Sequence, residues 1–159
     1  MVGSEAERFP DIARRVAAEG HAVGSHTRSH LDHHAIEPGE AVADMLAGSA
    51  AVAGVLGFEP SLYRAPYGYF VPATVREATR RGWTCVHWSA LGYDWEEEAT
   101  PRSVADRVLA DLKPGAIVLL HDSRRAKPME PEPVIGATAL LLEELERRDL
   151  KAMTIGEML

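Results

Sequence analysis

The chain has 159 residues, 46% of them hydrophobic, and a net charge of -7 with no block of like charge. That is the length of one domain with enough apolar content for a sizeable core. The acidic balance argues against a nucleic-acid or anionic-membrane surface. A single cysteine, Cys85, excludes an intrachain disulfide. Its apolar surroundings, Trp83-Thr84-Cys85-Val86, predict a small core filler rather than a reactive thiol. No apolar run approaches the roughly 20 residues of a spanning helix, and no signal peptide opens the chain.

Helix-like and strand-like segments alternate from end to end, which predicts a parallel α/β arrangement. Pro10 suits the first turn of a helix that carries Phe9, Ile12 and Val16 and stops at Gly20. A strand over Ala22–Ser25 follows. Val42, Met45, Leu46, Ser49, Ala53 and Leu56 keep helical spacing, with Gly57 as the stop. Leu62–Ala65 reads as a strand, and Val75 and Ala78 mark a short helix ending near Gly82. Trp83–Ser89 reads as one strand. Thr100-Pro101 caps a helix with Val104, Val108, Leu109 and Leu112 inward, ended by Pro114-Gly115. Segment Ala116–Leu120 is apolar without alternation, the pattern of a strand buried on both faces. Residues 123–133 carry three prolines and no period, so they read as a loop. A last helix spans about Val134–Arg148, and Lys151–Ile155 reads as a closing strand.

Four segments carry chemistry. In His26-Thr27-Arg28-Ser29-His30, two imidazoles four residues apart can point the same way from one turn, and neutral imidazole is the commonest protein ligand for zinc-like metals. The pair follows a predicted strand, at the end where α/β proteins place their chemistry. Arg64-Ala65-Pro66-Tyr67-Gly68, Trp88–Trp95 and Leu119-Leu120-His121-Asp122 also follow or contain predicted strands.

In this order the segments resemble the polysaccharide deacetylases of the NodB-homology family, carbohydrate esterase family 4. H-T-x-S-H is similar to that family's metal motif, R-x-P-Y-G to its third motif and L-x-H to its fifth. The resemblance covers essentially the whole chain. It implies a distorted (β/α)7 deacetylase barrel lacking the first strand, first helix and most of the second strand, with 1–159 as a single incomplete domain. Val2–Pro10 looks like the end of the second strand and the start of the second helix. A barrel with open edges is expected to cover them by self-association.

The resemblance also assigns roles. His26 and His30 are metal ligands, and the cofactor is a divalent metal, most readily zinc. His121 is the general acid, Tyr67 marks the backbone donor for the oxyanion, and Arg64 orients the catalytic aspartate. Trp95, Leu119 and Pro66 shape the substrate pocket, and Asp94 of the fourth motif is counted with the catalytic residues. The implied activity is metal-dependent removal of acetyl groups from N-acetylated, or O-acetylated, carbohydrate polymers. The alternatives are a degenerate or truncated non-catalytic carbohydrate-binding relative, or a hydrolase of small amides or imides. Extracellular or cell-surface work is expected.

Two departures stand out. The family's T-F-D-D-G segment, source of the third ligand and the base, does not occur in these residues. Asp32, His33 and His34 are expected to be solvated loop residues rather than a replacement. Without its aspartate, Arg64 would be an unpaired charge. The family's D-x-x-D-W has Leu91 in its first position, which leaves His121 without the aspartate thought to pair with it. The chain is therefore expected to bind zinc weakly and to hydrolyse poorly.

Overall fold

The structure is a computed structural model that describes residues 1–123 and 130–159. Two compact units are distinguished: residues 1–87 with 154–159, and residues 88–153.

The first unit opens with α1 (Gly3–Arg8) and α2 (Pro10–Ala18). Where one helix from Pro10 is predicted, there are two. Pro10 disfavours helical dihedrals at the residue before it, and Phe9 sits at φ -126° between the two helices. Then come β1 (Gly24–Ser25), α3 (Pro38–Leu56), β2 (Leu62–Tyr63), a 3-10 turn (Pro66–Gly68), α4 (Pro72–Arg80) and β3 (Thr84–Cys85). The sheet runs β1-β2-β3, all parallel, with Ser25, Tyr63 and Cys85 in one register row. Met1 flanks β1 as a strand would, its ammonium donating to Gly24 C=O and its carbonyl accepting the His26 N–H at 2.8 Å.

α3 is the main support of this unit. It packs Met45 with Tyr63, Ala65, Ala78 and Trp83, and Val52 with Ala6, Ala13 and Val23. Its 19 residues are long and apolar enough to cross a membrane by length and composition alone, which corrects the sequence reading that no run approaches that length. Its fully buried Met45, Val52 and Ala41 mark it as a core helix. Asp44 and Gly48 lie on the same buried face, though neither belongs to the apolar pattern.

The second unit contains β4 (Ala90–Leu91), α5 (Pro101–Asp111), β5 (Val118–Leu119) and α6 (Glu132–Arg147). β4 and β5 pair in parallel. Thr100 caps α5, accepting the Ser103 N–H at 3.1 Å while Ser103 accepts the Thr100 N–H at 2.9 Å. Ala90, Val104, Ala105, Val108, Ala137 and Leu141 form the core.

Three strand expectations need correction, and so does the placing of Cys85. The single strand expected over 83–89 is two: β3 pairs with β2, and the chain pairs again only at Ala90–Leu91 with β5. β5 is not buried on both faces, because Val118 is 36% exposed. Lys151–Ile155 is no strand. Thr154 there caps α7 (Ile155–Met158), exchanging bonds with Glu157 in a T-x-x-E box, whose helix-start signal outweighs the short apolar run. Cys85 is exposed rather than core, since β3 is an edge strand. Most of the loop predicted over 123–133 lies outside the described residues, and its end is already helical in α6.

Candidate functional site

His26 and His30 bracket a tight loop at the C-terminal end of β1. Thr27 and His30 both adopt left-handed backbone, at φ 64° and 52°, and the Thr27 hydroxyl accepts the His30 N–H at 3.0 Å. The two imidazoles meet edge to face with centroids 4.8 Å apart. His26 Nδ1 lies 2.8 Å from the Arg64 carbonyl. A carbonyl only accepts, so Nδ1 carries the hydrogen and Nε2 keeps its lone pair, the arrangement that orients a metal-binding imidazole. Burial pushes His26 down to about 4, which keeps the ring neutral as a ligand must be. Two imidazoles on one loop suit a zinc-like ion. Among the described residues, no three His, Cys, Asp or Glu side chains form a group able to hold one.

Arg64 follows β2, and its placement corrects the expectation of an unpaired charge. Its Nε donates to the Val86 carbonyl at 3.2 Å, with the His87 carbonyl 3.5 Å from Nη2. One residue thus ties β3 to β2 with its side chain and fixes His26 with its carbonyl. Pro66 is buried and starts the 3-10 turn, while Tyr67 sits in left-handed backbone at φ 55° with its ring 54% exposed. The Tyr67 ring meets His30 edge-on at 4.9 Å. Beside it, Tyr69 stacks flat on His34 at 4.5 Å.

The expectation of a solvated Asp32-His33-His34 segment fails at His33. That ring is 1% exposed, with Nε2 3.6 Å from Asp44 Oδ2 and Nδ1 3.5 Å from the Tyr63 hydroxyl. Burial lowers its pKa, against the pull of Asp44. Asp32 instead turns the loop by accepting the His34 N–H at 2.9 Å.

In the second unit, His121 lies two residues past β5. Asp94, 1% exposed, accepts the His121 main-chain N–H at 2.6 Å with Oδ2 and holds Nδ1 at 2.9 Å with Oδ1. This corrects the expectation that Leu91 deprives His121 of a carboxylate. Leu91 ends β4, and left-handed Tyr93, φ 51°, turns the chain so that Asp94 enters the interior three residues later. Trp95 meets the His121 ring edge-on at 5.1 Å and is 38% exposed. Leu119 ends β5 half-buried, its carbonyl accepting the Gly92 N–H at 3.4 Å.

Sequence reasoning missed Asp44, Gly48 and the partnership of Asp94 with His121. The only signal for the first two was their place one helical turn apart on α3.

A sequence profile described as polysaccharide deacetylase matches residues 1–86. A chitooligosaccharide deacetylase from Bradyrhizobium is 37% identical over 123 residues, 77% of this chain and 56% of that protein. A peptidoglycan-N-acetylglucosamine deacetylase from Bacillus cereus is 31% identical over 161 residues, spanning 100% of this chain and 73% of the relative. A solved peptidoglycan N-acetylglucosamine deacetylase matches with a TM-score of 0.90 at 25% identity, over 99% of this chain and 72% of that one. That likeness bears out the expected α/β deacetylase fold. The chain spans little more than half the length of the chitooligosaccharide deacetylases it matches.

Proposed function

The chain belongs to the polysaccharide deacetylase family, and we propose that its residues serve hydrolysis of the acetamide on N-acetylglucosamine-type carbohydrates. One observation carries the reading. In His26 and His121 Nδ1 is taken by a fixed acceptor, the Arg64 carbonyl for His26 and Asp94 for His121, which makes Nε2 the working nitrogen in each.

In the reaction, water oxygen bonds to the acetyl carbon, the carbon–nitrogen bond breaks, and acetate and a free amine leave. His26 and His30 would hold a divalent metal of the zinc type, which when bound polarises the acetamide carbonyl and acidifies water. Arg64 keeps His26 in one tautomer. The main chain at Tyr67, set in its left-handed turn, is the candidate donor for the oxyanion, placed before reaction. His121 delivers a proton from Nε2 to the departing amine, and Asp94 stabilises the imidazolium that carries it. The exposed rings of Tyr67, Tyr69 and Trp95 suit the faces of sugar rings. The relatives named for chitooligosaccharide and for peptidoglycan N-acetylglucosamine support that substrate class.

Acetate release from N-acetylated chitooligosaccharides and from peptidoglycan tests this. The chain is expected to turn over slowly, because its sequence contains no T-F-D-D-G segment, and to lose that turnover in His121→Ala. Equal release by both proteins would sink the general-acid role. A second reading, for the 159-residue chain taken alone, is carbohydrate binding without turnover. Retention of chitooligosaccharide with no acetate released, with or without zinc, would select it.

A further inference from the structure

We infer that Asp44 is the positioning residue that holds the His26–His30 loop in the shape that presents its imidazoles, an inference that rests on the metal-holding reading of that loop. The loop carries two non-glycine residues in left-handed backbone, Thr27 and His30. For a β-branched residue such as Thr27 this conformation is an outlier, and it persists only when the surroundings over-determine it. Part of the restraint comes from α1, where Gly3 N–H donates to Thr27 C=O at 2.8 Å and Ser4 N–H to Arg28 C=O at 3.1 Å. The two amides between those residues and His30 converge on a single residue of α3. Arg28 N–H donates to the Asp44 carbonyl at 3.0 Å, and Ser29 N–H to Asp44 Oδ1 at 3.0 Å.

Gly48, one turn further along α3, lets the loop lie directly on the helix. A Cβ there would stand 2.1 Å from the Thr27 carbonyl carbon. Asp44 and Gly48 thus form one cradle under the loop. The carboxylate does not earn its place by packing. It is buried on an apolar helix face, and its Oδ2 has no hydrogen bond among the described residues, facing His33 Nε2 at 3.6 Å. A buried carboxylate is costly unless its oxygens are used; Oδ1 takes the Ser29 N–H, and Oδ2 lies within ion-pair distance of His33 Nε2.

The test measures two quantities on the 159-residue chain: zinc affinity, by competition with a chromophoric chelator, and hydrogen exchange at the Ser29 amide without metal. Asp44→Ala should weaken zinc binding roughly 10- to 100-fold, the usual effect of removing a group that orients a ligand, and should deprotect Ser29. Asp44→Asn keeps an oxygen for the Ser29 N–H and should rescue most of both. Each variant loses the carboxylate facing His33, so a merely structural role would lower both proteins alike. If Asp44→Ala does not fold, Asp44→Leu removes the acceptor while suiting the buried helix face. Unchanged zinc affinity and Ser29 protection in the acceptor-free variant would overturn the inference, as would Asp44→Asn failing as far as Asp44→Ala. If the unsubstituted chain bound no zinc, the metal reading would fall by itself. The Ser29 exchange pattern would then decide on Asp44 alone.

Discussion

The two histidine clusters are built in opposite ways. The His26–His30 loop is held from several sides: it contains two left-handed residues, its amides and carbonyls bond to residues 1–4, to the main chain and carboxylate of Asp44 and to the Thr27 hydroxyl, and α3 lies against it. His121 is held by one side chain, the buried carboxylate of Asp94, and its own ring stays about one-third exposed. In the proposed roles the difference is useful: distributed support would keep a ligand pair in shape whether or not anything is bound, and one anchored nitrogen with one accessible face would suffice for a proton donor. The difference predicts that damage to the first cluster shows as lost shape and damage to the second as lost chemistry.

The largest effect sharpens the second half of that contrast. His121→Ala should lower acetate release by about 10²- to 10⁴-fold, the usual contribution of a positioned acid. Its unfolding midpoint in urea should fall only moderately, by the equivalent of about 2 kcal/mol, because buried Asp94 loses the Nδ1 bond to Oδ1 but keeps at Oδ2 the bond from the main-chain N–H of residue 121. A large loss of stability with modest loss of rate would reverse the assignment.

Gly48→Ala probes the first half. In an unencumbered helix interior the change stabilises by roughly 1 kcal/mol. Here the added methyl would meet Thr27 backbone at 2.1 Å, so the sign should flip, with a loss of about 3 kcal/mol, at the upper end of overpacking costs. Urea unfolding followed by circular dichroism measures the stability. Zinc affinity should fall with it if the loop has moved. A stabilised protein would mean that the loop is not pressed on α3.

These two sites also show where the sequence could be read and where it could not. His26, His30, Pro66, Tyr67 and His121 were legible because each belongs to a short local motif next to a strand or turn. Asp44 and Gly48 were not, because along α3 an aspartate and a glycine look like solvent-facing residues, and only tertiary packing turns that face inward. The pairing of Asp94 with His121 was missed for a related reason. The D-x-x-D spacing points to position 91, but the left-handed residue Tyr93 sets which side chain reaches the histidine, and a lone tyrosine gives no sign of positive φ. The strands were located correctly in most cases and drawn too long, since apolar runs mark candidate pairing and partners decide its extent.

Asp94→Asn lies between the clusters in kind. It keeps one acceptor but turns an amide NH2 toward a donor, either the main-chain N–H or Nδ1 of His121. One charge-assisted hydrogen bond is lost at a buried position, about 2 kcal/mol, read by urea unfolding. The rate should fall too, since a neutral amide stabilises an imidazolium poorly. If stability drops while the rate holds, Asp94 is a scaffold for residue 121 and not its electrostatic partner.

The smallest expected effect bears on the sheet of the first unit. Ser25, Tyr63 and Cys85 share a register row, yet Ser25 and Tyr63 are buried and Cys85 is exposed. Position along the row explains this: β2 lies between two strands and Met1 flanks β1, whereas among the described residues β3 pairs with β2 alone. Cys85→Ser exchanges sulfur for oxygen at the open end of the row. Its cost should stay within about 0.5 kcal/mol, as for surface substitutions generally. At a core position the buried hydroxyl would cost about 1–3 kcal/mol. The same unfolding assay separates the two values, and a cost in the upper range would mean that in solution something covers the outer side of β3.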